Sequence, residues 1–337
     1  MEIKTKKRDS IFDIVRALCA IEIIAFWHLS NYLPEAHSYS PQTLHIGEII
    51  TWGCLACFTF MSGFFLSKYK TTSLADVVGF YKKRLTRFYI IYLLSAGSLF
   101  IGGLLFHQPF FTDTKQFILT ILGLGCFNYP YPPTLWYFCM IMFFYMITPL
   151  LSLQISNKWR YAIGGGILLT LLIIKFCGIL NIDERLIVYF PFYLLGLFID
   201  KSAVEKVKNI RLLPITFIPW LLAIIFIKEM SIYEGIVLDV LLIMSFISLA
   251  SLLDQSKALV KFFSFISTGS MVAYLFHRHF YLVAVIACNL HNMSNLRDAS
   301  IPVPVAVCVV IPLIFIISYF VQKIYDFVIN KLSYGKS

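Results

Sequence analysis

Four short stretches carry side chains able to do chemistry, and each lies in or beside a long apolar run. The first, Ile11–Tyr32, reads IFDIVRALCAIEIIAFWHLSNY and holds Asp13, Arg16, Glu22 and His28. It is long enough to cross a bilayer, which takes about 20 apolar residues, and a charged group inside such a helix is by default a functional-site hypothesis. His28 can exchange a proton near neutral pH, which suits a general base. Asp13 and Arg16 are three apart and share a helix face. His28 follows Arg16 by about 18 Å along the axis, at roughly 1.5 Å per residue. The plainer alternatives are snorkelling for Asp13 and Arg16, and an interfacial position beside Trp27 for His28.

The second stretch, Ser267–Phe280 (STGSMVAYLFHRHF), puts His277 near the middle of its span, with Tyr274 one turn earlier on the same face and Arg278 and His279 crowded beside it. Core packing is the alternative for these residues. The third, Phe80–Leu94, places Arg84 and Arg87 at i and i+3 at the start of an apolar run. Two guanidiniums on one face suit a phosphate or pyrophosphate, and topology-setting charge is the alternative. The fourth, Pro132–Leu151, carries Trp136 and Tyr137 at an interface and Pro149, which kinks a helix unless neighbours accommodate it. Gly63 in Phe60–Ser67 and Gly196 in Phe192–Asp200 are small residues within spans, where helices can approach closely.

The elements that must position these groups are membrane helices. The 337-residue chain is 59% hydrophobic and only 14% charged, well under the roughly 25% charged of a soluble domain. Ten apolar segments span or nearly span: 11–32, 46–67, 85–106, 135–155, 161–180, 186–200, 211–228, 234–253, 263–288 and 302–324. Phe117–Phe127 is shorter and reads as interfacial or re-entrant. With the N-terminus inside, all but six of the 28 basic residues fall in cytoplasmic loops or at cytoplasmic helix ends. Lys115, Arg185, Lys228 and Arg297 fall outside, and Lys175 and Arg278 lie within spans. The positive-inside rule therefore predicts an N-in, C-in topology and accounts for the net charge of +10, leaving no surplus for nucleic acid. The expected fold is an all-α membrane protein of about ten transmembrane helices, a single domain over 1–337 with no soluble domain and an uncleaved first span. Most of the eight cysteines lie in apolar runs and read as packing residues, Cys54-x-x-Cys57 included, so neither a disulfide framework nor a metal is expected.

Taken together and in order, these stretches resemble the acyltransferase-3 family of integral-membrane acyltransferases. The matching elements are Asp13-x-x-Arg16 followed by His28, Ser62–Ser67, Arg84-x-x-Arg87, Leu135-Trp136-Tyr137 with Tyr145 and Pro149, and Ser270-x-x-x-Tyr274-Leu275-x-His277. The core of the resemblance covers 11–288. It implies an acyl-CoA donor, with acetyl-CoA expected, whose phosphates are held by Arg84 and Arg87. It further implies that His28 is the general base for acyl transfer to a hydroxyl at the outer face, with Asp13 and Arg16 in support. His277 is expected to orient His28 or to stabilise the thioester oxyanion. Trp136, Tyr274 and Glu22 are the candidate substrate-binding residues. Glu22 stands in for an acidic residue that the family often has after the Trp motif, or pairs with another helix. The expected partners are a carbohydrate or lipid-linked glycan acceptor and the lipid bilayer, in a bacterial cytoplasmic membrane. The Asn292-Met293-Ser294 sequon is then read as chance. The resemblance also leaves a rival class, an exporter of polysaccharide or acylated intermediates, and a catalytically dead scaffold as a third reading.

One spacing departs from the family pattern. Eleven residues, Ala17 to Trp27, separate Arg16 from His28, where the family has ten. In a regular helix a ten-residue gap leaves the two side chains about 20° apart and an eleven-residue gap about 120°, and a π-bulge would absorb the extra residue.

Overall fold

The computed structural model describes residues 9–34, 39–105, 110–227, 230–289 and 300–334. Its regular elements are helices. The order is α1 (Ser10–Ile21), a π-helical segment (Glu22–His28), α2 (Pro41–Phe64), α3 (Leu74–Leu105), α4 (Thr114–Ile121) and a 3₁₀ turn (Gly125–Phe127). Then come α5 (Trp136–Leu151), α6 (Asn157–Phe176), α7 (Glu184–Phe198), α8 (Lys201–Val207), α9 (Leu212–Phe226), α10 (Ile236–Leu253) and α11 (Lys257–Cys288). The chain closes with α12 (Val303–Val305), a second π-helical segment (Ala306–Val310) and α13 (Ile311–Tyr334). The chain is an all-α, multi-pass membrane protein. A helix lies in every one of the ten apolar segments. Among the described residues, six stretches can each cross a membrane by length and composition: α2, α3, α6, α10, α11 and the run from α12 through α13. α5 and α9 are apolar but shorter, and α1 gives way to the π-helical segment, so ten crossings remain the reading of the charge pattern. The sequon and most of the stretch Asn289–Ser300 lie outside the described residues.

Local chemistry explains where the helix starts differ from the apolar pattern. α3 begins at Leu74, eleven residues before its apolar segment. Asp76 Oδ2 accepts from the backbone N–H of Thr72 and of Ser73, both at 2.9 Å, while Asp76 N–H reaches Ser73 Oγ at 3.3 Å. This is a capping box with Asp in the Glu position. Arg84 and Arg87 therefore sit within a helix that begins before the apolar segment whose start they mark. α11 starts at a Ser256 cap instead of Phe263. The Phe117–Phe127 stretch forms α4 and the 3₁₀ turn, and the helix is stopped by Gly123 in the left-handed region at φ +75°.

Contacts separate the chain into two compact units, Met1–Phe58 with Asp200–Ser337, and Thr59–Ile199. In the first, α11 packs against both α1 and α13, and α10 packs against α9 and α1. α11 meets α13 at backbone distance, since a methyl on Gly269 would lie 2.7 Å from Tyr319 N. Ile49 of α2 joins Trp220, Ile224, Leu238 and Leu242 in an apolar cluster.

In the second unit, α7 crosses the end of α2 at a pair of glycines. A Cβ on Gly63 would strike the Tyr193 carbonyl and sit 2.9 Å from Leu197 N; one on Gly196 would strike the Phe60 carbonyl and sit 2.8 Å from Phe64 N. The sequence expectation of a close helix approach at these residues is met as a reciprocal contact. α3 packs on α5 through Phe88, Tyr92, Phe138 and Tyr145. Around Pro149 in α5, the Thr148 hydroxyl donates to the Phe144 carbonyl and the Tyr81 hydroxyl to the Met146 carbonyl, the kind of local hydrogen bonding that lets a proline sit in a membrane helix.

Gly63→Ala should cost at least about 1–3 kcal/mol by overpacking, read as a lower thermal midpoint in detergent. Gly165→Ala in α6, with open space around it, should leave the midpoint unchanged or raise it, by up to about 1 kcal/mol. Equal effects at the two positions would contradict the close crossing.

Candidate active site

One face of α11 carries Ser267, Ser270, Tyr274, His277 and Tyr281, spaced alternately by three and four residues, so they form a stripe along the helix. That stripe faces α1. Near the start of α1, buried Asp13 accepts from Arg16 Nη1 at 3.3 Å and from Ser267 Oγ at 3.0 Å, and Arg16 Nη1 also donates to Ser267 Oγ at 3.2 Å. The Ser267 hydroxyl thus donates to the carboxylate while accepting from the guanidinium, closing a three-membered network between the helices.

Further along, the His28 ring lies flat on the His277 ring, with centroids 4.5 Å apart and planes 2° from parallel. Asp13 and Arg16 pair with Ser267, and His28 with His277, so α1 and α11 run parallel.

The Glu22–His28 π-helical segment makes both pairings possible. It absorbs the eleventh residue between Arg16 and His28, so both side chains keep facing the same helix. Inside it, the Ile24 carbonyl accepts from the Tyr281 hydroxyl. Glu22 turns towards α2, where Thr51 Oγ1 donates to Oε1 at 3.0 Å, and Trp27 packs over Gly47. Glu22 therefore pairs with another helix, the second of its two sequence readings. Phe26, two residues before His28 in the π-helical segment, is 69% exposed.

The two histidines are held differently. His277 is fully buried, and its Nδ1 lies 2.7 Å from the Tyr274 carbonyl. A carbonyl only accepts, so Nδ1 carries the hydrogen and the neutral ring presents a bare Nε2. That Nε2, and Nδ1 of His28, are buried with no hydrogen-bond partner among the described residues. His28 as a residue is half-buried. Tyr274 makes edge contacts with both rings, at 6.3 and 5.9 Å. The arrangement offers an imidazole held flat by a second one, with a ring nitrogen that can accept and return a proton.

The remaining sequence candidates lie in the second unit. Arg84 is half-buried on the α3 face that carries Tyr81 and Phe88, and Arg87 is exposed one turn on. Trp136 opens α5 and is covered by a side chain that sequence reasoning assigned only to topology: the Arg185 guanidinium stacks 3.9 Å from its ring. Arg185 is held by Asp183, with contacts of 2.7 Å from Nη2 and 2.8 Å from Nε. Tyr131 is the other aromatic face near Arg185, at 5.7 Å. Burial, with the Asp183 charge adding to it and Arg185 opposing, pushes the Tyr131 phenol up to about 12, so it stays a neutral donor at physiological pH. Cys19, Cys54 and Cys57 are free and buried, as packing residues.

A family model describing an acyltransferase domain, acyltransferase 3, matches residues 9–323, a stretch that takes in both units. The chain belongs to the acyltransferase-3 family. No curated protein and no solved structure is similar enough to match it. The protein is thus a multi-pass membrane acyltransferase. In this acyltransferase, sequence reading missed Ser267, Tyr281, Asp183 and Arg185. The three-four spacing along α11 could have revealed the first two; the last two had no local pattern to mark them.

Asp13→Asn in the acyltransferase should lower stability by about 1–3 kcal/mol, because Arg16 loses its ionic partner at a largely buried site. Ser267→Ala should cost less, since it leaves the ion pair in place. Thermal unfolding of the two purified variants checks the ranking, and a larger loss for Ser267→Ala would contradict the network described.

Proposed function

We propose that the acyltransferase moves an acyl group, acetyl being the expected one, from cytoplasmic acyl-CoA to a hydroxyl of a cell-surface carbohydrate or lipid-linked glycan, in a bacterial cytoplasmic membrane. His28 is the general base. The observation that carries this reading is the half-buried His28 lying flat on the fully buried His277.

A sugar hydroxyl is far too weak an acid to ionise near pH 7, so its proton must leave as its oxygen attacks the thioester carbonyl. A His28 ring nitrogen takes that proton. The tetrahedral intermediate then collapses, the C–S bond breaks, and the imidazolium returns the proton to the departing CoA sulfur. His277 is the positioning partner: its Nδ1 is tied to the Tyr274 carbonyl, so its plane is fixed, and the His28 plane with it. Asp13, Arg16 and Ser267 hold the inner end of α1 on α11 and so set the depth at which His28 sits. Arg84 and Arg87 take the CoA phosphates, a role suited to two guanidiniums one turn apart. Trp136 and Tyr274 are the aromatic groups assigned to the acceptor.

General-base catalysis contributes about 10²–10⁴-fold, so His28→Ala should lose that much rate in acetyl transfer while still binding acetyl-CoA. A wild-type rate in that variant would exclude His28 as the base and favour an exporter. The Arg84→Ala/Arg87→Ala double variant should weaken acetyl-CoA binding in detergent, with a shallower salt dependence and an unchanged thermal midpoint. Unchanged binding would remove the phosphate assignment.

A further inference from the structure

The π-helical segment poses a question that the reaction does not answer: what keeps a seven-residue π turn from relaxing to an α-helix, which would swing His28 off His277? π-helices are rare and short because their hydrogen-bond geometry is poorer, so a neighbouring group has to take up what the ladder leaves open. The Ile24 carbonyl lies inside this turn, and Leu29 N–H, just past its end, bonds to the Phe26 carbonyl. The Ile24 carbonyl is taken by the phenolic hydroxyl of Tyr281 on α11.

Tyr281 is fully buried. It lies one turn after His277 on the same stripe, with its ring edge-on to His277 at 5.8 Å and tilted against Tyr32 at 4.9 Å. One side chain thus touches the backbone within the π turn, the ring on which His28 is stacked, and the end of the first apolar segment.

We propose that Tyr281 is the positioning residue of this site. Its hydroxyl, bound to the Ile24 carbonyl, holds the π register that places His28 on His277. This inference rests on the reading of His28 as the base. It predicts a division of labour along α11, with Ser267 fixing the inner part of α1, His277 fixing the His28 plane, and Tyr281 fixing the backbone register between them.

The test is Tyr281→Phe, which removes the hydroxyl and keeps the ring. Two readouts are taken on the full-length protein in detergent. Hydrogen exchange over residues 22–29 should rise at least several-fold, while exchange over 10–20 stays as in the parent. CoA thiol release from acetyl-CoA in the presence of envelope glycan should show kcat reduced about tenfold or more, with KM for acetyl-CoA unchanged. Unchanged exchange over 22–29 overturns the clamp. Raised exchange with an unchanged kcat overturns the positioning role. His28→Ala is run alongside: a wild-type rate there removes the base assignment, while the exchange result still decides whether Tyr281 holds the π turn.

Discussion

A helix surrounded by hydrocarbon tolerates Asp13, Arg16, Glu22 and His28 only if each group meets a partner on another helix, because no water is present to solvate it. The packing of the first span on its neighbours gives each of these side chains a contact on another helix, while Glu22 Oε2 and His28 Nδ1 stay buried with no hydrogen-bond partner among the described residues. Asp13 and Arg16 are matched by Ser267, Glu22 by Thr51, and His28 by His277. Three of these four residues use one helix, α11, whose opposite side is fixed at backbone distance to α13 through Gly269. The site geometry is therefore set by two rigid helix contacts rather than by loops, which is how a proton-transfer group is held to the tolerance that chemistry needs.

The π-helical segment is the compromise this arrangement requires. Polar residues on α1 sit at spacings that no straight α-helix can present to one neighbour, since one residue too many separates Arg16 from His28. The extra residue is taken up where it does least harm, between the two pairings, in a stretch where Phe26 is exposed. Glu22 at the start of the distorted stretch is turned to α2.

Much of this was legible in the sequence, and the parts that were not have physical causes. Each apolar segment became a helix because a membrane leaves the backbone few alternatives. Counting residues between Arg16 and His28 showed one too many for the family spacing, with a π-bulge as one way to absorb it; that the helix takes this way is visible only in the structure. The glycine crossing of α2 and α7 was visible as small residues in two spans, although their pairing was not. Helix starts were misplaced where hydropathy and helicity part company: Lys82, Lys83, Arg84 and Arg87 lie on α3, whose start is set by Ser73 and Asp76 far upstream. Ser267 and Tyr281 escaped notice because a serine and a tyrosine in an apolar run look like packing residues until the stripe they share with His277 is recognised. The Asp183–Arg185–Trp136 stack was illegible because it joins a helix cap to an aromatic residue about fifty positions earlier.

The central claim is that His28 and His277 act as one unit across the α1–α11 contact, and a double-mutant cycle on acetyl transfer tests it most directly. Residues acting as a unit are strongly non-additive. The account predicts that the His28→Ala/His277→Ala double variant is no slower than His28→Ala alone, because His277 serves catalysis only through the ring it supports. If the two single losses instead multiply in the double variant, the histidines act independently and the stacked pair is not the functional centre.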